Sequence, residues 1–118
     1  MRAVIHEQDQ VVVARLKGRL ALGDGVEHLR PLIRDLARRR KGPVLDLEKV
    51  TEIDTSGLAE LIEGRAALAE RGGELKLVRP PKHVARLLRL TRLDRLFETF
   101  QVRTRRPSRP VLLFENAA

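Results

Sequence analysis

Asp54, Thr55, Ser56 and Gly57 put a carboxylate, two hydroxyls and a residue without a side chain into four consecutive positions. An apolar run containing Val44, Leu45 and Leu47 precedes them, and Leu58, Leu61 and Ile62 follow at helical spacing, so the four mark a strand-to-helix junction. The first turn of a helix carries unpaired N–H groups and the positive end of the helix dipole, which favour an anionic or oxygen-rich group. A hydroxyl at such a point has two uses. It can cap the helix, worth about 1 kcal/mol, or it can accept a phosphate that the free N–H groups tolerate. Thr55 reads as the cap of a helix opening at Gly57 and Leu58. Ser56 then projects, left uncovered by Gly57, as a modifiable hydroxyl rather than a catalytic nucleophile.

Catalysis finds little support in the remaining residues. No G-x-S-x-G elbow or P-loop occurs, no histidine adjoins the serine, and His6, His28 and His83 lack metal-ligand spacing. Asp46 and Asp54 make a conceivable carboxylate pair, but nothing supplies the second charged clamp. The expectation is a protein that is not an enzyme and uses no cofactor or metal. Cysteine is absent, which excludes disulfides and thiolate sites and is compatible with a reducing compartment. No apolar run approaches the roughly 20 residues that span a bilayer, and MRAVIHEQDQ lacks the apolar core of a signal peptide. A cytoplasmic protein without membrane insertion is expected.

The 118 residues suit one compact domain. The formal charge of +8 is unevenly spread: residues 79–109 carry ten Lys and Arg against only Asp94 and Glu98, and the rest of the chain balances. Arg86, Arg89, Arg92 and Arg95, with the run RTRRPSRP, could track phosphates, which makes a basic nucleic-acid-binding domain the reading from another class. Only three phenylalanines and no other aromatics are available for base stacking. An acidic protein surface is therefore the better-matched partner for the basic third.

The elements follow from periodicity. Residues 3–7 and 11–17 read as a hairpin, with Gly18 ending the second strand. Asp24 and Glu27 have capping-box spacing ahead of a helix in which Pro31 forces a kink or a restart. Val44, Leu45 and Leu47 form a short strand interrupted by Asp46, more a turn-stabilising residue than a functional one. A helix ending at Gly72-Gly73 follows, then a strand over 74–79, and a third helix after Pro80-Pro81. Residues 96–102 make a further strand filled by Phe97 and Phe100, residues 103–110 a linker, and VLLFENAA an edge strand or docked tail. Strands alternating with helices predict an α/β fold with a mixed sheet.

With this order in view, LDLEKVTEIDTSGLAELI resembles the signature of the STAS domains, the family of sulphate-transporter and anti-sigma-factor-antagonist domains. Gly18, Gly72-Gly73 and PPKHVARLLRLTRLDRLF extend the likeness over roughly residues 3–102. The resemblance implies a STAS-like fold with a mixed sheet of four to five strands and helices mainly on one face, over residues 1–102, with residues 103–118 as basic linker and tail. It further implies an anti-sigma factor antagonist in which Ser56 is the phosphorylated serine. Asp54, Thr55, Gly57 and Asp24, the acid nearest after Gly18, would contact the partner or kinase. That partner would be an anti-sigma factor with serine kinase activity, bound when Ser56 is unphosphorylated so that a sigma factor is freed, and a serine phosphatase would reset the switch. A scaffold subunit of a signalling assembly and an accessory subunit of a transporter are the other roles within the family.

Overall fold

Alternating apolar runs become strands, and the computed structural model, which describes residues 1–8, 11–39, 42–97, 99–104 and 112–116, joins them in one sheet of order β1-β2-β3-β4-β5-β6. Strands β1 (Arg2–Gln8) and β2 (Val11–Leu20) pair antiparallel, with Ile5 opposite Ala14. Strands β3 (Val44–Ile53), β4 (Lys76–Val78) and β5 (Thr99–Thr104) are then added in chain order, each parallel to its predecessor. Strand β6 (Leu112–Asn116) returns antiparallel to β5. The closing segment thus takes the edge-strand option and brings the sheet to six strands. The linker expected over 103–110 lies outside the described residues from 105 onward.

Helices α1 (Leu29–Arg39), α2 (Thr55–Ala69) and α3 (Lys82–Leu90) connect the successive parallel strands. A parallel sheet that grows in one direction through right-handed crossovers carries all its helices on the same face. Side chains agree: Leu29, Ile33 and Leu36 of α1, Leu58, Leu61 and Leu68 of α2, and Val84 and Leu88 of α3 share one buried cluster with Ala14, Leu16, Leu45, Leu47 and Leu77 of the sheet. Phe97 closes that cluster as expected, whereas the side chain of Phe100 lies outside the described residues.

Three local expectations need correction. Gly18 does not end β2, because its φ of 95° permits a register shift against β3 and the strand continues to Leu20. The Asp24–Glu27 capping box does not form. Gly25, in a left-handed conformation, instead starts a 3₁₀ turn over Val26–His28 without a side-chain cap. That turn makes the restart that Pro31 demands, since α1 begins at Leu29 and the proline occupies its first turn, where no N–H is required.

The third correction concerns Asp46, which does not interrupt β3. Strand alternation turns it away from the helices, onto the opposite face beside Val44 and Val78, where it is only 3% exposed. Arg79 binds it through two nitrogens, and Arg15 Nε reaches Asp46 Oδ2 at 3.4 Å. Arg79 also meets Glu48 at 2.8 Å, and its hydrogen bonds with Asp46 push its guanidinium further up from its ordinary pKa. A carboxylate in mid-strand is stable here because cations from β2 and from the end of β4 arrive to neutralise it. Removing it strands Arg79, whose side chain keeps 22% of its surface exposed. Asp46→Ala should therefore lower the unfolding free energy by about 2–3 kcal/mol, somewhat less than for a fully buried pair because Arg79 keeps contact with solvent, as measured by urea denaturation.

Candidate partner-docking site

The C-terminal ends of β2 and β3 meet where α2 begins, at the edge of the sheet where parallel α/β folds gather functional groups. Asp54 sits between strand and helix in an extended conformation and is the N-cap of α2, with Oδ1 accepting from the Gly57 N–H at 2.9 Å. Its other oxygen, Oδ2, accepts from the N–H of Leu22 at 3.0 Å. The Asp54 N–H donates to the Leu20 carbonyl at 3.2 Å. One residue therefore fixes both the helix start and the loop that follows β2. Hydrogen bonds from Leu22 and then Gly57 hold the Asp54 carboxyl below the usual carboxylate range.

This arrangement overturns the assignment of Thr55 as cap. The helix opens two residues earlier than the hydrophobic spacing predicts, because Asp54 supplies the capping oxygen and frees Thr55 and Ser56 to enter the first turn. Thr55 is exposed and Ser56 half-buried, and among the described residues neither hydroxyl has a hydrogen-bond partner. Gly57 is buried for a second reason besides leaving Ser56 uncovered. A Cβ there would lie 2.3 Å from the Leu20 carbonyl oxygen and 2.8 Å from Ile53 Cγ1, so the close crossing of α2 over β2 requires glycine.

Asp24 lies on the same side, in the loop that Asp54 tethers. Arg19 bridges Glu52 at 2.7 Å and approaches Asp24 at 3.8 Å, and the Asp24 carbonyl accepts from the N-terminal ammonium. Glu60, four residues after Ser56 on α2, is held by Arg30 in a two-pronged pair at 3.1 Å. Asp54 thus remains as the adjacent carboxylate without a cationic partner among the described residues.

Leu22 escapes sequence reasoning. It is 77% exposed, the most exposed large apolar side chain among the described residues, and its own N–H is the one that Asp54 holds. No periodicity announces it; the only signal is a leucine stranded in a glycine-rich loop. Among the described residues no group of His, Asp and Glu could hold a metal ion, and no helix is long and apolar enough to cross a membrane.

A family profile described as "Mlab, STAS domain" matches residues 3–99. The chain belongs to the STAS domain family. Among solved structures, this STAS domain is similar to the anti-sigma factor antagonist SpoIIAA in its unphosphorylated form, with a TM-score of 0.68 and 20% identity over 83% of this chain and 87% of that one. An anti-sigma factor antagonist from Mycobacterium paratuberculosis gives 0.68 and 22%, over 83% of each chain. The phosphorylated form of the Bacillus cell fate determinant SpoIIAA gives 0.63 and 19%, over 83% and 90%. At these identities the likeness concerns the fold. No curated protein matches the sequence.

Two measurements check the geometry of the junction. Gly57→Ala should lose about 1–3 kcal/mol of stability by urea denaturation, since steric overlap with a fixed backbone oxygen outweighs alanine's better helix propensity. For Asp54 the folded pKa lies below the unfolded one, so its contribution is present above the unfolded carboxylate pKa and disappears as pH falls through the folded pKa. Asp54→Asn should thus be less stable than the parent at neutral pH, and the gap in urea midpoint should narrow progressively as pH falls below the usual carboxylate range and through the lowered folded pKa.

Proposed function

We propose that this STAS domain is an anti-sigma factor antagonist whose binding is switched at Ser56. Its contact surface comprises Asp24, Asp54, Thr55 and Gly57, and its partner is an anti-sigma factor with serine kinase activity. The observation that carries the reading is the free hydroxyl of Ser56. It lies half-buried on the first turn of α2, and the capping that would otherwise occupy it is done by Asp54. Likeness of fold supports it, since SpoIIAA, one of the similar proteins, occurs in unphosphorylated and phosphorylated forms.

Ser56 Oγ gives its proton to a base of the kinase and forms a bond to the γ-phosphorus of ATP, the bond from that phosphorus to the ADP oxygen breaks, and ADP leaves. The product carries close to two negative charges beside the first-turn N–H groups, so the domain itself tolerates it. A docked partner does not. The dianion adds repulsion next to Asp54 and a desolvation cost beside the apolar surface around Leu22. A serine phosphatase restores the hydroxyl by hydrolysis. In the unphosphorylated state the domain holds the anti-sigma factor and the sigma factor is released.

Incubation with the cognate kinase and ATP, read by intact-protein mass, should add one phosphate to the parent and to Thr55→Ala but none to Ser56→Ala. Modification persisting in Ser56→Ala would overturn the site. Ser56→Asp should weaken partner binding by at least about tenfold in calorimetry, and a full dianion by about a hundredfold, equivalent to about 2.7 kcal/mol.

A further inference from the structure

The outward side of α3 is used by nothing described so far. Val84 and Leu88 turn into the core, and the opposite side carries Lys82, Arg86 and Arg89 with Leu90 among them, all exposed. Helical spacing makes this one surface: Lys82, Arg86 and Leu90 follow each other at four-residue intervals, and Arg89 lies beside them. Arg92 and Arg95 continue the charge through the turn and the 3₁₀ segment Leu93–Arg95. Among the described residues none of these five cations pairs with a carboxylate, and the one acid in the stretch is the exposed Asp94. This sets them apart from Arg15, Arg19, Arg30 and Arg79, all of which have acidic partners.

Leu90 is 71% exposed in the middle of this basic face, and Leu96 is 40% exposed just beyond it. A helix that puts apolar side chains outward among lysine and arginine has the composition of one lying at a bilayer interface, with cations at the headgroups and leucine at the acyl boundary. Five cations fall within the range of clusters that adsorb to anionic lipid. A polyphosphate backbone satisfies the charges but gives Leu90 no apolar contact. An acidic protein surface, the partner that composition first suggests, would pair the arginines, but a protein interface core joins arginine to aromatic anchors and this face presents none. We infer that the outward face of α3, centred on Arg86, Arg89 and Leu90, is a peripheral docking surface for anionic phospholipid membranes.

The surface is separate from the serine. Helices α2 and α3 both start at the C-terminal ends of their strands and run back toward the other edge of the sheet. Arg65, in the second half of α2, donates to the Leu96 carbonyl at 2.8 Å, so the Leu90–Leu96 end lies away from Ser56. Membrane docking would leave the Ser56 surface open, and the two readings stand or fall independently.

Co-sedimentation of the full chain with vesicles tests this, comparing phosphatidylcholine alone with phosphatidylcholine containing phosphatidylglycerol, and a short double-stranded DNA as a competing polyanion. Binding is expected to the mixed vesicles only and to weaken with salt. Reversing two charges in Arg86→Glu/Arg89→Glu should reduce the partition coefficient by at least about tenfold. Leu90→Ala, which leaves every charge in place, should reduce it by about fivefold. Circular dichroism and kinase modification at Ser56 should be unchanged in both variants. Absence of binding to the mixed vesicles, equal binding by Leu90→Ala, or tight DNA binding without vesicle binding would each overturn the inference.

Discussion

A single carboxylate joins the two halves of the functional edge. Asp54 accepts from Gly57 with one oxygen and from Leu22 with the other, so it caps α2 and restrains the loop after β2 at once. Its backbone completes the clasp through the Leu20 carbonyl, the same oxygen that excludes any side chain at residue 57. Strand end, loop and helix start therefore cannot move independently. Ser56 and Leu22, a hydroxyl and an apolar anchor, are presented at fixed positions without themselves contributing hydrogen bonds from their side chains.

A second carboxylate plays the complementary structural part on the opposite face of the sheet. Asp46 is buried in the middle of β3, and Arg79 and Arg15 bring charge to it from both neighbouring strands. Arg79 adopts a left-handed backbone, with φ at 51°, where β4 ends. The ion cluster thus stands at the point where the chain leaves the sheet for α3. The helix-bearing face is held by apolar burial and the other, at this point, by ionic pairing. The same residue type serves as cap at position 54 and as buried counter-ion at position 46.

Charge divides by partner. Arg15, Arg19, Arg30 and Arg79 are engaged with acids, whereas among the described residues the arginines of α3 and the following turn have no acidic partner. The unpaired cations of α3 and the turn after it therefore form a local basic surface, and electrostatic attraction can act there.

Much of this architecture is legible in the sequence, because it is local. Hydrophobic periodicity marks the strands and helices, Gly72-Gly73 ends α2 where the N–H of Gly73 meets the Leu68 carbonyl, and Pro81 opens α3. Alternation of elements fixes an α/β sheet, and the D-T-S-G junction gives the STAS family, which the match over residues 3–99 bears out. Sequence alone could not choose among adjacent capping residues, since Asp54 and Thr55 both offer a suitable oxygen and only the approach of Gly57 and Leu22 selects the acid. Nor could it separate acids that remain free from those neutralised across 30 or more positions, as Glu60 is by Arg30 and Asp46 by Arg79. The exposure of Leu90 was equally hidden, because leucine at a plausible core spacing looks the same whether it faces inward or out. Composition and spacing determined which elements form; the tertiary structure alone decided which polar groups are already satisfied, because that depends on partners far away in the chain.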